Sequence, residues 1–396
     1  MIGEDEIQKV RQSEYPATQK AVHLKASGGS PMCRSAYEAC ERYLEEMCFE
    51  GDLYYDDYLK TLSEGRARIA RYIGASPSEI GYTVNSSSAA AIMAEMFRKQ
   101  GINRVYYPVS EFPTSIHAVA NEGIEVVAVG DTMYRDGPPD WLREIDRHLI
   151  ANPTNGSSAL VISHVSFISG ETIDIREVAG FSAAHDLLLA VNATQSFGAL
   201  EIDVAGVDVL FATGLKWASA GYGAGFIYLR QGWVDEVGLP NRAGWLSVED
   251  PYRMNHANRA PMKTATMLDA GGGMPHFGPL MALSGALSVY ERLGDSDLRA
   301  GVTQVQERVR WLASYLKTSL SEAGYTLLGA PIKDAQSGIV SIRNERAPEL
   351  FEALKKKGVL TSLRRDPHTN EPCILRFGVH YFNTKKELDS ALSVLR

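Results

Sequence analysis

Lys216 stands between two apolar runs of strand length, Val207-Asp-Val-Leu-Phe-Ala-Thr213 and Phe226-Ile-Tyr-Leu229, with a glycine-rich turn at Gly221, Gly223 and Gly225 on its C-terminal side. A loop lysine ordinarily snorkels to water, but two buried strands bounding a polar turn set this one at the floor of a pocket. Desolvation there lowers an ammonium pKa, and the neutral amine is a nucleophile able to form a Schiff base. Ser86-Ser87-Ser88 follows a short apolar run and opens an alanine- and methionine-rich helical pattern. Its hydroxyls and backbone N–H groups suit an anion, most naturally a phosphate, and a plain serine N-cap uses the same residues. Gly221-Tyr-Gly-Ala-Gly225 is no dinucleotide loop, because it precedes a strand and opens no helix. Gly271-Gly272-Gly273 leaves two readings open, a close backbone approach to a ligand and a flexible loop.

The elements that would position these residues alternate. Helices are expected over 34–49, 57–72, 89–99, 114–121, 141–150 and 175–184, and strands over 81–84, 105–107, 125–129, 159–163, 187–191, 207–213 and 226–229. That order implies an α/β fold, a mainly parallel sheet covered by helices on both faces, with ligands at the carboxyl ends of the strands. Those ends deliver Glu111-Phe112-Pro113, Ser163-His164, Asn192-Ala-Thr-Gln195 and Lys216 to one rim. Residues 240–279 read as irregular. Helices at 279–293, 303–323 and 384–395, with strands near 338–342, 359–362 and 374–378, build a smaller α+β unit. The expected division is an extended N-terminal segment (1–25), a large domain (26–278) and a small C-terminal domain (279–396).

Composition bounds the function. The chain has 396 residues, 45% of them hydrophobic, and a net charge of −8, which argues against nucleic acid or a membrane surface as partner. No apolar run reaches membrane-spanning length and residues 1–19 have no apolar core, so a cytoplasmic protein is expected. Cys33 and Cys40 are too far apart on one helix to bridge, and no Cys/His spacing suggests a metal.

Asn192-Ala-Thr-Gln-Ser-Phe-Gly-Ala199, then Asp203, Asp208 and Thr213-Gly-Leu-Lys-Trp217, resemble the signature of the class V aminotransferase family of fold-type I pyridoxal-phosphate enzymes. That family includes cysteine desulfurases, kynureninase-like proteins and isopenicillin N epimerase, and the resemblance runs from about residue 20 to the end. It implies that Lys216 carries pyridoxal 5′-phosphate as a Schiff base and acts as acid and base at Cα. By the same resemblance Ser86, Ser87 and Thr213 hold the phosphate, Phe112 stacks on the ring and Gln195 reaches the ring's phenolic oxygen. Arg376, within Leu375-Arg-Phe-Gly-Val-His-Tyr-Phe-Asn-Thr384, matches the arginine that binds the substrate carboxylate, a task that suits a bidentate guanidinium. Gly244-Trp245 and Gly273 match segments that face the partner subunit, so a homodimer is implied.

Three positions depart from the pattern. The family places an aspartate at position 192 to keep the ring nitrogen protonated; Asn192 is neutral, so the electron sink should be weaker. Leu215 replaces a common histidine. The stretch Ser362 to Asn370 has no cysteine where desulfurases carry a reactive thiol, and Cys373 falls too near Arg376 to serve. The leading expectation is β-elimination with C–S cleavage of an S-substituted cysteine. Transamination, epimerisation and decarboxylative oxidation are its rivals, and a non-catalytic pyridoxal-phosphate-binding regulator is an alternative of another class.

Overall fold

A computed structural model describes residues 2–130, 141–151, 157–240, 244–257, 259–329, 336–366 and 369–395. In chain order it begins with α1 (Glu4–Glu14), β1 (Val22–His23), α2 (Arg34–Phe49), α3 (Tyr55–Ile73), β2 (Ile80–Thr83), α4 (Ser86–Gln100), β3 (Arg104–Pro108), α5 (Pro113–Asn121) and β4 (Glu125–Val129). It continues with α6 (Trp141–Ala151), β5 (Ser158–Ser163), α7 (Ile175–Ala184), β6 (Leu187–Asn192), β7 (Val209–Thr213), β8 (Gly225–Leu229) and α8 (Gln231–Val237). The C-terminal part holds α9 (Phe277–Leu293), α10 (Leu298–Glu322), β9 (Thr326–Leu327), β10 (Ile339–Arg343), α11 (Ala347–Lys356), β11 (Val359–Leu360), β12 (Ser362–Arg364), β13 (Ile374–Gly378) and α12 (Lys385–Leu395).

Seven strands form the main sheet in the order β2-β8-β7-β6-β5-β3-β4. All neighbours run parallel except β8, which is antiparallel to both β2 and β7. Strands β7 and β8 are buried at every residue, as their continuous apolar sequences require of strands covered on both faces. The expected α/β architecture is therefore the observed one. A second sheet, β12-β13-β10-β9, is antiparallel, with its own apolar core under α10, α11 and α12.

Several expectations are corrected. Residues 4–14 are helical rather than extended: Glu4, Asp5 and Glu6 sit in the first turn, where the helix dipole favours acids, and Ile7 is buried. Arg11 of this helix grips Glu387 of α12 at 2.7 Å, an anchor far away in the sequence. The strand expected at 359–362 is two strands: β11 pairs in parallel with β1, while β12 joins β13. Helix α10 starts at Leu298 rather than 303, because the Asp297 carboxylate caps the N–H groups of Arg299 and Ala300. Gly301 lies inside it without breaking it, since a Cβ there would meet the Tyr290 carbonyl of α9.

Helix α9 packs into the core of the main sheet. Buried side chains of α10 belong to the large core as far as Val309 and to the small core from Leu312. We propose a domain boundary between them. Of the segment 240–279, the described parts before α9 hold only 3-10 turns and an isolated bridge, as expected, and α9 begins at Phe277; residues 241–243 and 258 lie outside the described residues.

Candidate active site

The carboxyl ends of β2, β7, β6 and β5 meet at one rim. Thr213 pairs with Gly225, which also faces Thr83, and a Cβ on Gly225 would lie 3.0 Å from the Thr83 hydroxyl. Just beyond Thr83, α4 begins. Its N-cap is Asn85, whose side chain accepts from the Ser88 N–H at 2.9 Å while the Ser88 hydroxyl donates back to the Asn85 carbonyl at 2.8 Å. The capping role weighed for the serines is thus filled by Asn85. The Ser86 and Ser87 hydroxyls make no hydrogen bond to any described residue, and their N–H groups are those a helix start leaves free. Together they form an anion cradle. Thr213 is buried and donates to the Ala224 carbonyl at 3.2 Å, which braces the next loop and leaves the hydroxyl oxygen as an acceptor only.

That loop carries Lys216. Gly198 lets the preceding turn pack against it: with φ near +100° and a would-be Cβ 2.3 Å from the Ala218 nitrogen, no side chain fits there. Burial, reinforced by the charges of Arg376 and Arg364, pushes the Lys216 amine down from 10.5 to about 7. Its Nζ lies 5.7 Å from the centre of the Phe112 ring, and Phe112 meets Phe167 edge to face at 5.2 Å. Lys216 and its aromatic plate are thus brought together as the sequence indicated. Leu215, in place of histidine, uses its carbonyl to hold the Ser30 N–H at 3.2 Å.

Asn192 ends β6 and is buried. Its Nδ2 donates to the Ser115 hydroxyl at 3.2 Å and its Oδ1 accepts the Thr194 N–H at 3.0 Å. Gln195 is oriented by chemistry that leaves no choice of flip. The Trp217 indole N–H can only donate, so it faces Oε1 at 2.9 Å; the amide nitrogen donates to the Ser27 carbonyl at 3.1 Å and keeps one N–H free. Gly273 lies half-exposed beyond the 3-10 turn Ala265–Gly272, and Trp245 is exposed beside Tyr252, ring centres 5.8 Å apart.

Arg376 on β13 reaches the same region from the small sheet. Its Nη1 donates to the Phe167 carbonyl, while Nε and Nη2, both buried, have no partner among the described residues. Burial and the nearby Arg364 charge push it down from the ordinary guanidinium value to about 9. Among the described residues no carboxylate pairs with this edge, and such an edge suits a bidentate carboxylate.

Residue types alone gave no role to two features. Glu111 is a buried carboxylate that accepts from the Ser163 hydroxyl at 2.7 Å, the Phe112 N–H at 2.9 Å and the Ser115 hydroxyl at 3.2 Å. It ties the ends of β3 and β5 together and, through Ser115, reaches Asn192. His380 is buried and pushed down to about 4, hence neutral, with Nε2 2.6 Å from the Trp217 carbonyl. Neither has a local sequence signal, because each acts through residues far away in the chain.

The aminotransferase class-V family model matches residues 22–390. The chain belongs to this family. The "uncharacterized aminotransferase YcbU" of Bacillus subtilis (strain 168) is 27% identical over 380 residues, covering 96% of this chain and 94% of that protein. An apo cysteine desulfurase from Thermococcus onnurineus NA1 superposes with a TM-score of 0.80 at 17% identity, over 98% of this chain and 96% of that one. The complex between the cystine C–S lyase C-DES and its reaction product cysteine persulfide gives a TM-score of 0.81 at 18% identity, over 96% of this chain and 98% of that one. These two likenesses carry the fold.

The class-V chain is an enzyme of the pyridoxal-phosphate type, acting on a small amino-acid-like molecule. Its residues fit that cofactor: a lysine amine of lowered pKa, an aromatic plate beside it, an unused hydroxyl and N–H cradle, and an orphaned buried guanidinium. Among the described residues no cluster of acids, histidines or cysteines could hold a metal ion, and no helix is long and apolar enough to cross a membrane.

Proposed function

We propose that this class-V enzyme is a β-elimination lyase that breaks the C–S bond of an S-substituted cysteine and works as a homodimer. The observation that carries the reading is Asn192. It is buried, neutral and engaged through both ends of its amide with Ser115 and Thr194, so no charge sits on residue 192. Pyridoxal phosphate, bound at Lys216, supplies an electron sink for charge left at Cα, and a neutral neighbour at its ring nitrogen makes that sink weaker. A weaker sink handicaps transamination most, because there the charge must persist long enough to be reprotonated elsewhere. Expulsion of a thiolate from Cβ drains the same charge at once.

The residues divide the work. Ser86 and Ser87 hold the phosphate, while Thr213 braces the Ala224 carbonyl beside them; Phe112 covers the ring; the free N–H of Gln195 meets the phenolic oxygen. Arg376 grips the substrate carboxylate through its Nε and Nη2 edge. The Lys216 amine, lowered so far that about half of it is neutral at pH 7, takes the Cα proton and returns it later. Over a full turn an S-substituted cysteine and water give thiol, pyruvate and ammonia. The stretch Ser362 to Asn370 has no cysteine, so no persulfide-accepting thiol stands there as in a desulfurase. The C–S lyase among the structural neighbours adds support from the fold.

Transamination is the second reading, favoured by the whole-length similarity to YcbU. One experiment separates them. The purified holoenzyme given an S-alkyl cysteine and no keto acid should release pyruvate and ammonia. Turnover that appears only once a keto acid is added would sink the lyase reading. Asn192→Asp should raise keto-acid-dependent turnover relative to elimination, and an unchanged ratio would remove the weak-sink argument.

A further inference from the structure

Strands β12 and β13 pair so that Ser362 faces Arg376 and Arg364 faces Ile374. Directly paired residues project to the same side of a sheet, and so do residues two apart along a strand. Ser362, Arg364 and Arg376 therefore share one face, with Arg364 diagonal to Arg376 at a backbone separation of about 7 Å. This is the face that meets the Lys216 pocket.

That face holds more hydrogen-bond donors than one carboxylate can use. The Nε and Nη2 edge of Arg376 takes a single carboxylate in two parallel bonds. The Ser362 hydroxyl remains, buried and without a partner among the described residues. So does Arg364, which is half-buried and makes no ion pair or hydrogen bond with any described residue. The acid two residues along the chain, Asp366, is already paired with Arg343. Two guanidiniums and the Lys216 amine thus converge without a facing carboxylate among the described residues, and each arginine depresses the lysine further. An uncompensated cluster of this kind costs stability unless a ligand brings the missing charge.

We infer that Arg364 and Ser362 form a second anion subsite beside Arg376, which takes a carboxylate carried by the part of the substrate beyond Cβ. On the lyase reading above, the departing thiol then bears its own acid group, and the substrate is a dicarboxylate such as an S-carboxyalkyl cysteine.

The test uses probes that cannot undergo elimination, so it stands apart from the reaction assigned. 2-Aminoadipate is the methylene analogue of S-carboxymethyl-cysteine, and homoglutamine is its side-chain amide. Each is titrated into the holoenzyme, and dissociation constants are read from the change in the cofactor's visible absorbance. The acid should bind at least about tenfold more tightly than the amide, as expected for hydrogen bonds to a charged group. Arg364→Gln should bring the acid-to-amide ratio close to one while retaining the cofactor absorbance, and Arg364→Lys should restore part of it. Equal binding of the two probes by the wild type overturns the subsite, as does a preference that survives Arg364→Gln. Failure of the lyase reading would show separately, as absence of pyruvate from S-carboxymethyl-cysteine while the acid preference persists.

Discussion

At one end of the Lys216 pocket an anion meets hydroxyls and the free N–H groups of a helix start; at the other it meets guanidinium groups. The first end is neutral and its frame is satisfied: Asn85 caps α4, Thr213 is tied to Ala224, and only the groups a phosphate would use are left over. The second end is charged and unsatisfied, with two Arg376 nitrogens and the Ser362 hydroxyl buried without partners among the described residues. The contrast separates two kinds of ligand. A resident cofactor needs a cradle that folds correctly before anything binds. A transient substrate can be recognised by charge that the empty protein bears at a cost, because binding relieves it. Lys216 stands between the two, and substitutions can test whether the ends are as different as they look.

The largest effect belongs to the residue both ends serve. Lys216→Ala should abolish the aldehyde-amine absorbance of the holoenzyme and lower turnover by at least about 10³-fold, since nucleophile and proton carrier go together. Wild-type absorbance in that variant would mean that another lysine carries the cofactor. Next comes a paired test of the ends. Arg376→Gln should cost roughly 10- to 100-fold in kcat/KM, mostly through KM, with the cofactor retained. Ser87→Ala should do the reverse, weakening cofactor retention about two- to tenfold, measured by dialysis, with a smaller change in KM. If both variants moved the same quantity, the division of labour would be wrong.

How far the sequence exposed each end follows from what holds it. The phosphate end is local: a strand, a cap and a run of serines lie within a few residues, so the anion site could be read from 80–89, although not that Asn85 rather than a serine does the capping. The Lys216 loop was legible for the same reason, being framed by two apolar runs. Arg376 stood out only because its neighbours resemble a family motif. Arg364 had no such help, since its meaning depends on the register of β12 against β13. Sequence merged β12 with β11, although the two strands pair with different partners, β13 and β1, and without that pairing the face of Arg364 cannot be assigned. The helix α1 escaped in part because its anchor on α12, Arg11 to Glu387, joins residues 376 apart.

The smallest effect is also the most direct measure of how the charged end reaches the lysine. Burial comes first among the causes that lower the Lys216 amine to about 7, and the charges of Arg376 and Arg364 follow. The proton-free amine is the reactive form, so in cofactor-stripped protein the rate of reaction with added pyridoxal phosphate should climb with pH through a midpoint near 7 rather than near 10.5. Between those limits an unfolded chain holds a proton on this lysine that the folded chain has released, so folding stability rises with pH across the same window. Arg364→Gln removes one repulsion that favours the neutral amine, and the midpoint should move upward. Ser87→Ala removes no charge and should leave it where it is. A midpoint unmoved by Arg364→Gln would mean that β12 does not carry its arginine to the lysine, and the contrast between the two ends would rest on Arg376 alone.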